Sequence, residues 1–496
     1  MAHDHADVEN SNGNISEPFI GKKENGSLGM VLICTAIAVC GSFVYGTGVG
    51  YSAPTQFGIM KELNLTYSEV ISTPDETNIS LEVSVATGRD LSGGGWDTLL
   101  YSVFGSILNI GAMIGAVTSG RVADFLGRKG AMRTSAIICI AGWLSIYAAM
   151  ESLLLDFGRF LTGYGCGILS YVVPVFIAEI TPKDLRGALA TANQLFIVIG
   201  LALAYVIGTW VNWRTLALIG ALPCLIMLIG LSFIPESPRW LAMVGHHVDF
   251  DAALRALRGP TADISVEKTD ILDSLALLQK LPKVTMLDLF HRRNIRLVIV
   301  GVGLMAFQQL SGINGIIFYA GHIFSSAGVP SRLASTIYPS IQILVTAVGA
   351  ALIDKAGRRP LLLVSASGLL IANLLLGTSY LLGECQLALE FVPLMALTGV
   401  LLFVASFSIG MGAIPWVLMS ELFPLNIKGR AGSLVTLVNW LGSWIVSFTF
   451  IFLREWSSFG TFYLYGLVCA MSIIFIFKLV PETKGRTLED IHSSLS

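Results

Sequence analysis

Gly120-Arg121-Val122-Ala123-Asp124-Phe125-Leu126-Gly127-Arg128-Lys129 closes one long apolar run, and Asp354-Lys355-Ala356-Gly357-Arg358-Arg359 closes another. The two charged turns share one pattern: a carboxylate, a glycine, then a pair of cations. They are not isolated. Glu179, Pro182, Arg186 and Gly187 follow the fourth apolar segment, and Glu421, Pro424, Lys428 and Gly429 follow the tenth at the same offsets of +3, +7 and +8. Pro235-Glu236-Ser237 ends the sixth segment and Pro481-Glu482-Thr483 the twelfth. Three matched pairs in the same order mark an internal duplication of six segments.

Around these turns the composition is that of a membrane protein. Of 496 residues 54% are hydrophobic and 13% charged, against about 25% charged in soluble domains. Mean hydropathy is +0.72. Twelve apolar segments have spanning length. Of the 31 Lys and Arg, Lys61, Arg89, Arg214, Arg332 and Arg454 fall on one side, Arg159 lies inside a segment, and the other 25 share the side of both termini and the central loop. The positive-inside rule makes that side cytosolic. The expected layout is a disordered cytosolic tail over 1–28, a six-helix bundle over 29–234, a cytosolic helical linker over 235–293, a second bundle over 294–480 and a tail over 481–496. The linker should carry helices at Asp249–Leu257 and Thr269–Lys280. No signal peptide is expected, because the polar start lacks an apolar core. Seven cysteines show no paired or metal-ligand spacing and read as small buried hydrophobes.

In the charged turns, glycine supplies a positive-φ position and arginine reaches a neighbouring helix end. Glu179 and Glu421 are candidate partners for Arg128 and Arg358, within or across the halves, with Asp124 and Arg186 in the same set. Each partly exposed pair contributes about 1 kcal/mol. Several together bias a balanced equilibrium without freezing it. Arg159 is the one basic residue inside a segment. Such a residue marks function by default, unless it snorkels to a nearby boundary.

The seventh segment holds Gln308-Gln309-Leu310-Ser311-Gly312-Ile313-Asn314. On an ideal helix Asn314 and Gln308 point in different directions. A break near Ser311 or Gly312 would bring the carboxamides together around a cavity. Carboxamides donate and accept without carrying charge, which suits a neutral, hydroxyl-rich ligand such as a sugar. Interhelical glue is the other reading of the same residues. Gln194, Gln342, Asn439 and Trp416 occur on four other segments. Trp416 follows Gly410, Gly412 and Pro415, a second expected break. Amides for hydroxyls and an aromatic face for sugar C–H groups shift the balance toward a neutral polar ligand. No catalytic set and no phosphate-binding Gly-Lys-Ser loop is present, so no catalytic residue, metal or cofactor is expected. A net charge of −2 gives no nucleic-acid signal.

Jointly, Gly-Arg-Lys at 127–129, Pro-Glu-Ser-Pro-Arg at 235–239, Gln-Gln-Leu-Ser-Gly-Ile-Asn at 308–314, Gly-Arg-Arg at 357–359 and Pro-Glu-Thr-Lys-Gly-Arg at 481–486 resemble a sugar porter of the major facilitator superfamily. The resemblance covers Met30 to Ile491. Ser170–Ile180, Gly410–Glu421 and Gly432–Trp444 resemble the plant early-response-to-dehydration-like monosaccharide transporters. It implies an all-α membrane protein with twelve transmembrane helices in two pseudo-symmetric six-helix halves, working by alternating access. It implies sugar contacts at Gln194, Gln308, Gln309, Asn314, Gln342, Trp416 and Asn439, and a latch of Arg128, Arg358, Glu179 and Glu421. Implied partners are a small-molecule sugar, the lipid bilayer and, where transport is coupled, protons. No obligate protein partner is implied. Vacuolar and plasma membranes both occur in the family.

Two departures stand out. Proton-coupled relatives place an Asp on helix one, beside the helix-four Arg. Here Gly46 stands there while Arg159 is kept, which favours facilitated diffusion over proton symport or antiport. Polyol or inositol carriage would use the same amides, and a non-transporting sugar receptor is the rival class. The second departure is an apparent insertion over 70–100, polar and glycine-rich.

Overall fold

The computed structural model describes residues 28–62, 94–182, 185–260, 262–280, 287–291, 294–317, 331–423 and 425–484. The described residues are almost entirely helical. The tail over 1–27 and residues 70–93 of the apparent insertion lie outside them, and 94–100 open a helix.

The first half comprises α1 (Leu28–Gly50), α2 (Ser52–Glu62), α3 (Gly94–Tyr147), α4 (Ser152–Ile180), α5 (Arg186–Gly208) and α6 (Trp213–Gly230). The linker contributes α7 (Pro238–Val244), α8 (His247–Arg258) and α9 (Ser265–Lys280). The second half comprises α10 (Ile295–Leu310) with a continuation over 313–317, α11 (Ser331–Ala356), α12 (Arg358–Glu384), α13 (Val392–Ser406), α14 (Ile414–Leu422), α15 (Leu425–Trp456) and α16 (Ser458–Leu479). Ten described helices are long and apolar enough to cross a membrane. One of them, Val103–Tyr147, holds two crossings joined at Gly127, and Ala192–Gly208 is a shorter apolar helix. With these the twelve expected crossings are accounted for. Both expected linker helices form, as α8 and α9. The sequence reading missed α7, which Ser237 starts by accepting from the Trp240 N–H.

Helices within a half approach closely because small residues line their seams. A Cβ at Gly111 or Gly115 of α3 would sit 2.2 Å from the Phe160 or Tyr164 carbonyl of α4. Without a solvent-driven apolar effect between spans, such backbone proximity is the main source of packing energy. Successive spans run in opposite directions. The termini and linker therefore define one side of the molecule, called here the linker side. The other is the far side. Buried apolar residues form a core running through both halves, and Leu241, Phe250, Ala253 and Leu254 form a small separate core within the linker.

Candidate ligand site and charged latches

Between α10 and its continuation the chain turns at Ser311 and Gly312, and Gly312 takes φ +99°. That break is where glycine and serine placed it. Gln309 Nε2 donates to Asn439 Oδ1 at 2.6 Å and to Gln308 Oε1 at 3.3 Å. Asn314 Nδ2 donates to Gln309 Oε1. Gln308 Nε2 donates to the Met411 and Gly412 carbonyls. Those carbonyls are freed by a π-helical turn, Phe407–Met411, between α13 and α14. Its signal was Gly410, Gly412 and Pro415, but their pairing with Gln308 was not foreseen. All four amides are buried.

Gln342 on α11 is 6% exposed, and its Oε1 has no hydrogen-bond partner among the described residues. Trp440, beside Asn439, has a buried indole N–H that is likewise unpartnered among them. Its ring meets Tyr45 of the first half edge-on at 5.6 Å. A buried unpartnered acceptor and donor carry the full desolvation cost of a lost hydrogen bond, and a hydroxyl satisfies either. Trp416 is half-buried in the first turn of α14 and packs against the core. Gln194 is half-buried on α5 and does not belong to the hydrogen-bonded amide chain. The structure thus brings together Gln308, Gln309, Asn314 and Asn439, and leaves Gln194, Gln342 and Trp416 outside that chain.

Arg159 is fully buried, so it does not snorkel. Its guanidinium donates to the Gly48 carbonyl at 2.8 Å and the Ser52 hydroxyl at 2.5 Å, and lies against the Tyr51 and Phe104 rings. Position 46, one helical turn before Gly50, has no room for any side chain. A Cβ there would lie 2.0 Å from the Ile197 carbonyl oxygen of α5.

On the linker side the charged turns close within each half through the pairs seen among the described residues. Arg128 grips Glu179 with both ends of its fork, each at 2.9 Å, and donates to Asp124 at 3.3 Å. Arg358 Nη2 donates to Glu421 at 2.9 Å. Arg186 opens α5, and its side chain lies outside the described residues. Each pair is completed by the motif that ends its half. The Ser237 and Thr483 hydroxyls each donate to the latch carboxylate at 2.6 Å. Glu236 accepts from the Lys129 N–H, and Glu482 from the Arg358 and Arg359 N–H groups at 3.0 Å. Gly127 (φ +79°) and Gly357 (φ +90°) are required twice over, because a Cβ would also strike Glu236 or Glu482 within 2.8 Å.

The roles of these two glutamates were missed, although the sequence repeat contained their motifs. Their electrostatics differ. Burial holds the Glu236 carboxyl above its ordinary pKa against its backbone donors. At Glu482 desolvation is again the largest single effect, but the N–H groups of Lys484, Arg358, Arg359 and Thr483 together outweigh it and hold the carboxyl below its ordinary value.

Comparison with known proteins places this arrangement. Residues 33–495 match the family model described as "Sugar (and other) transporter". The chain is 58% identical over 496 residues to sugar transporter ERD6-like 8 of Arabidopsis thaliana, covering 99% of this chain and 98% of that relative. It is 50% identical over 483 residues to sugar transporter ERD6-like 7 of the same plant, covering 97% and 98%. Among solved structures it is similar to the major facilitator superfamily proton:xylose symporter XylE bound to 6-bromo-6-deoxy-D-glucose. The TM-score is 0.74 at 26% identity, covering 94% of this chain and 99% of that one. The inward open conformation of the xylose transporter XylE from E. coli is similar at TM-score 0.72 and 26% identity, with 94% and 99% covered.

Proposed function

The chain belongs to the sugar (and other) transporter family, and from that premise we propose that it carries a monosaccharide of the hexose type by alternating access. It is a transporter, not an enzyme, and it has the major facilitator fold. One observation carries the site assignment. Gln308, Gln309, Asn314 and Asn439 form a continuous neutral hydrogen-bonding surface, and Gln342 Oε1 on α11 is buried without a partner among the described residues. Such a surface exchanges its internal bonds for sugar hydroxyls at little cost, because every donor and acceptor stays satisfied. Trp416 and Gln194 would complete the site as the halves close on the ligand. Polyols and inositol are the nearest rival substrates.

The linker side is the cytosolic side, as the basic residues place it. The Arg128–Glu179 and Arg358–Glu421 clusters fix the linker-side ends of each half, so the halves rock as rigid bodies. Transport runs down the sugar gradient. Support comes from the contact at Gly46, where α1 and α5 meet too closely for the carboxylate that a coupled carrier would place beside Arg159. Proton symport is the second reading, favoured by the retention and full burial of Arg159.

The test is uptake and counterflow of labelled glucose, fructose and inositol in proteoliposomes, with and without a pH gradient. Counterflow of a hexose without gradient-driven accumulation is expected. Absence of any counterflow refutes the carrier, and uphill accumulation refutes the uncoupled mode.

A further inference from the structure

Two hydrogen bonds between described residues join the halves, and both lie toward the far side. Asn109 Nδ2 of α3 donates to Ser447 Oγ of α15 at 3.0 Å, both residues being buried. The Tyr205 hydroxyl, in the last turn of α5, donates to the Ile317 carbonyl, in the continuation of the broken α10. The Tyr205 ring packs on that of Tyr338 at 5.2 Å and a 31° tilt. Tyr338 stands in the far-side part of α11 and is fully buried. Its hydroxyl has no hydrogen-bond partner among the described residues. It shares a helix face with Gln342, one turn further on.

We propose that Tyr205 and Tyr338 form the far-side gate, and that the Tyr338 hydroxyl reads the ligand. This rests on the carrier reading and goes beyond it. Tyr205 holds the gate shut by donating to a carbonyl of the segment that follows the break in α10. That carbonyl belongs to the half that must move away when the far side opens. Tyr338 supplies the ring Tyr205 closes on. Its own oxygen and Gln342 Oε1, carried one turn apart on the same face of α11, are buried and unpartnered among the described residues, so a sugar hydroxyl bridging them ties occupancy to gate closure. A merely structural tyrosine at zero exposure would have its hydroxyl bonded to protein.

The test uses the full chain with Cys385→Ser to remove the exposed thiol and spin labels at Trp210→Cys and Trp456→Cys. These positions are exposed, two residues past the far end of α5 and at the far end of α15, in opposite halves. Tyr205→Phe keeps the ring and removes one hydrogen bond. It should raise the long-distance, far-side-open population about three- to tenfold without sugar. Tyr338→Phe should leave the sugar-free distances unchanged while weakening sugar binding about tenfold and abolishing sugar-induced closure. Unchanged distances in Tyr205→Phe overturn the gate. Unchanged sugar affinity in Tyr338→Phe overturns the ligand contact. The distance measurement requires no transport, so loss of counterflow in the unmodified protein would count against the carrier reading alone.

Discussion

Replacing Gly46 by alanine should destabilise the protein, although the same change in an unencumbered helix does the opposite. A Gly→Ala change inside a helix ordinarily gains up to about 1 kcal/mol. At position 46 the new methyl would lie 2.0 Å from the Ile197 carbonyl oxygen, 2.8 Å from the Leu201 nitrogen and 2.9 Å from the Ile197 carbonyl carbon. Even a weak C–H···O contact needs about 3.3 Å. Helices α1 and α5 must therefore part by more than about 1 Å. The opposing atoms are backbone, so no side chain can swing aside. Overpacking of this kind costs about 1–3 kcal/mol, which outweighs the propensity gain. Gly120 of α3 is the internal control, since a Cβ there meets nothing within 4 Å. The two alanine variants should shift the thermal unfolding midpoint in detergent in opposite directions, Gly46→Ala down and Gly120→Ala up or unchanged. Gly46→Asp should be worse than Gly46→Ala and should not accumulate sugar in response to a pH gradient. Equal stability of the two alanine variants, or gradient-driven accumulation by Gly46→Asp, would refute the steric exclusion of a coupling carboxylate.

Other outcomes follow from the same geometry. Glu179→Gln should lose more thermal stability than Glu421→Gln, about 3 kcal/mol against about 1. The Arg128–Glu179 side chains are 9% and 10% exposed and bonded through both fork ends, while those of Arg358 and Glu421 are 14% and 28% exposed. Equal losses would contradict this ordering. Gln309→Ala and Gln342→Ala should each weaken hexose counterflow at least about tenfold with expression intact, and survival of transport in both would misplace the site. Acidification should loosen the second half first. Glu482, with its folded pKa depressed, contributes stability above its unfolded value that is lost as pH falls through the folded one. Glu236, with its folded pKa raised, contributes below the unfolded value and loses that contribution as pH rises. Below about pH 4.5 the amides of Arg358 and Arg359 should thus lose hydrogen-exchange protection, corrected for intrinsic rates, before that of Lys129. The reverse order would be inconsistent with these shifts.

The architecture was legible because its signals are redundant. Long apolar runs, one-sided charge and three repeated motifs all report the same duplicated bundle, and the Gly127 and Gly357 turns take the positive φ their sequence demands. The break at Gly312 was legible for the same local reason. Partner choice was less so. Glu179 matched Arg128 by offset, but nothing in one dimension says that a fork closes within a half and not across it. Glu236 and Glu482 were read as boundary markers, because their acceptor role appears only when the end of the sixth helix folds back on the second turn. The shut contact of α1 on α5 was invisible: Gly46 reads as a missing acid, and only packing shows why no acid fits.

The closure of each latch by its own terminal motif has a mechanical consequence. In each half, the turn after the second span, the end of the fourth and the tail of the sixth are tied at three corners, by Arg128, Glu179 and Glu236 in one and Arg358, Glu421 and Glu482 in the other. A triangle of struts resists shear that two parallel struts would allow. The chain has built the same truss twice, so each half is braced at its linker side by its own residues.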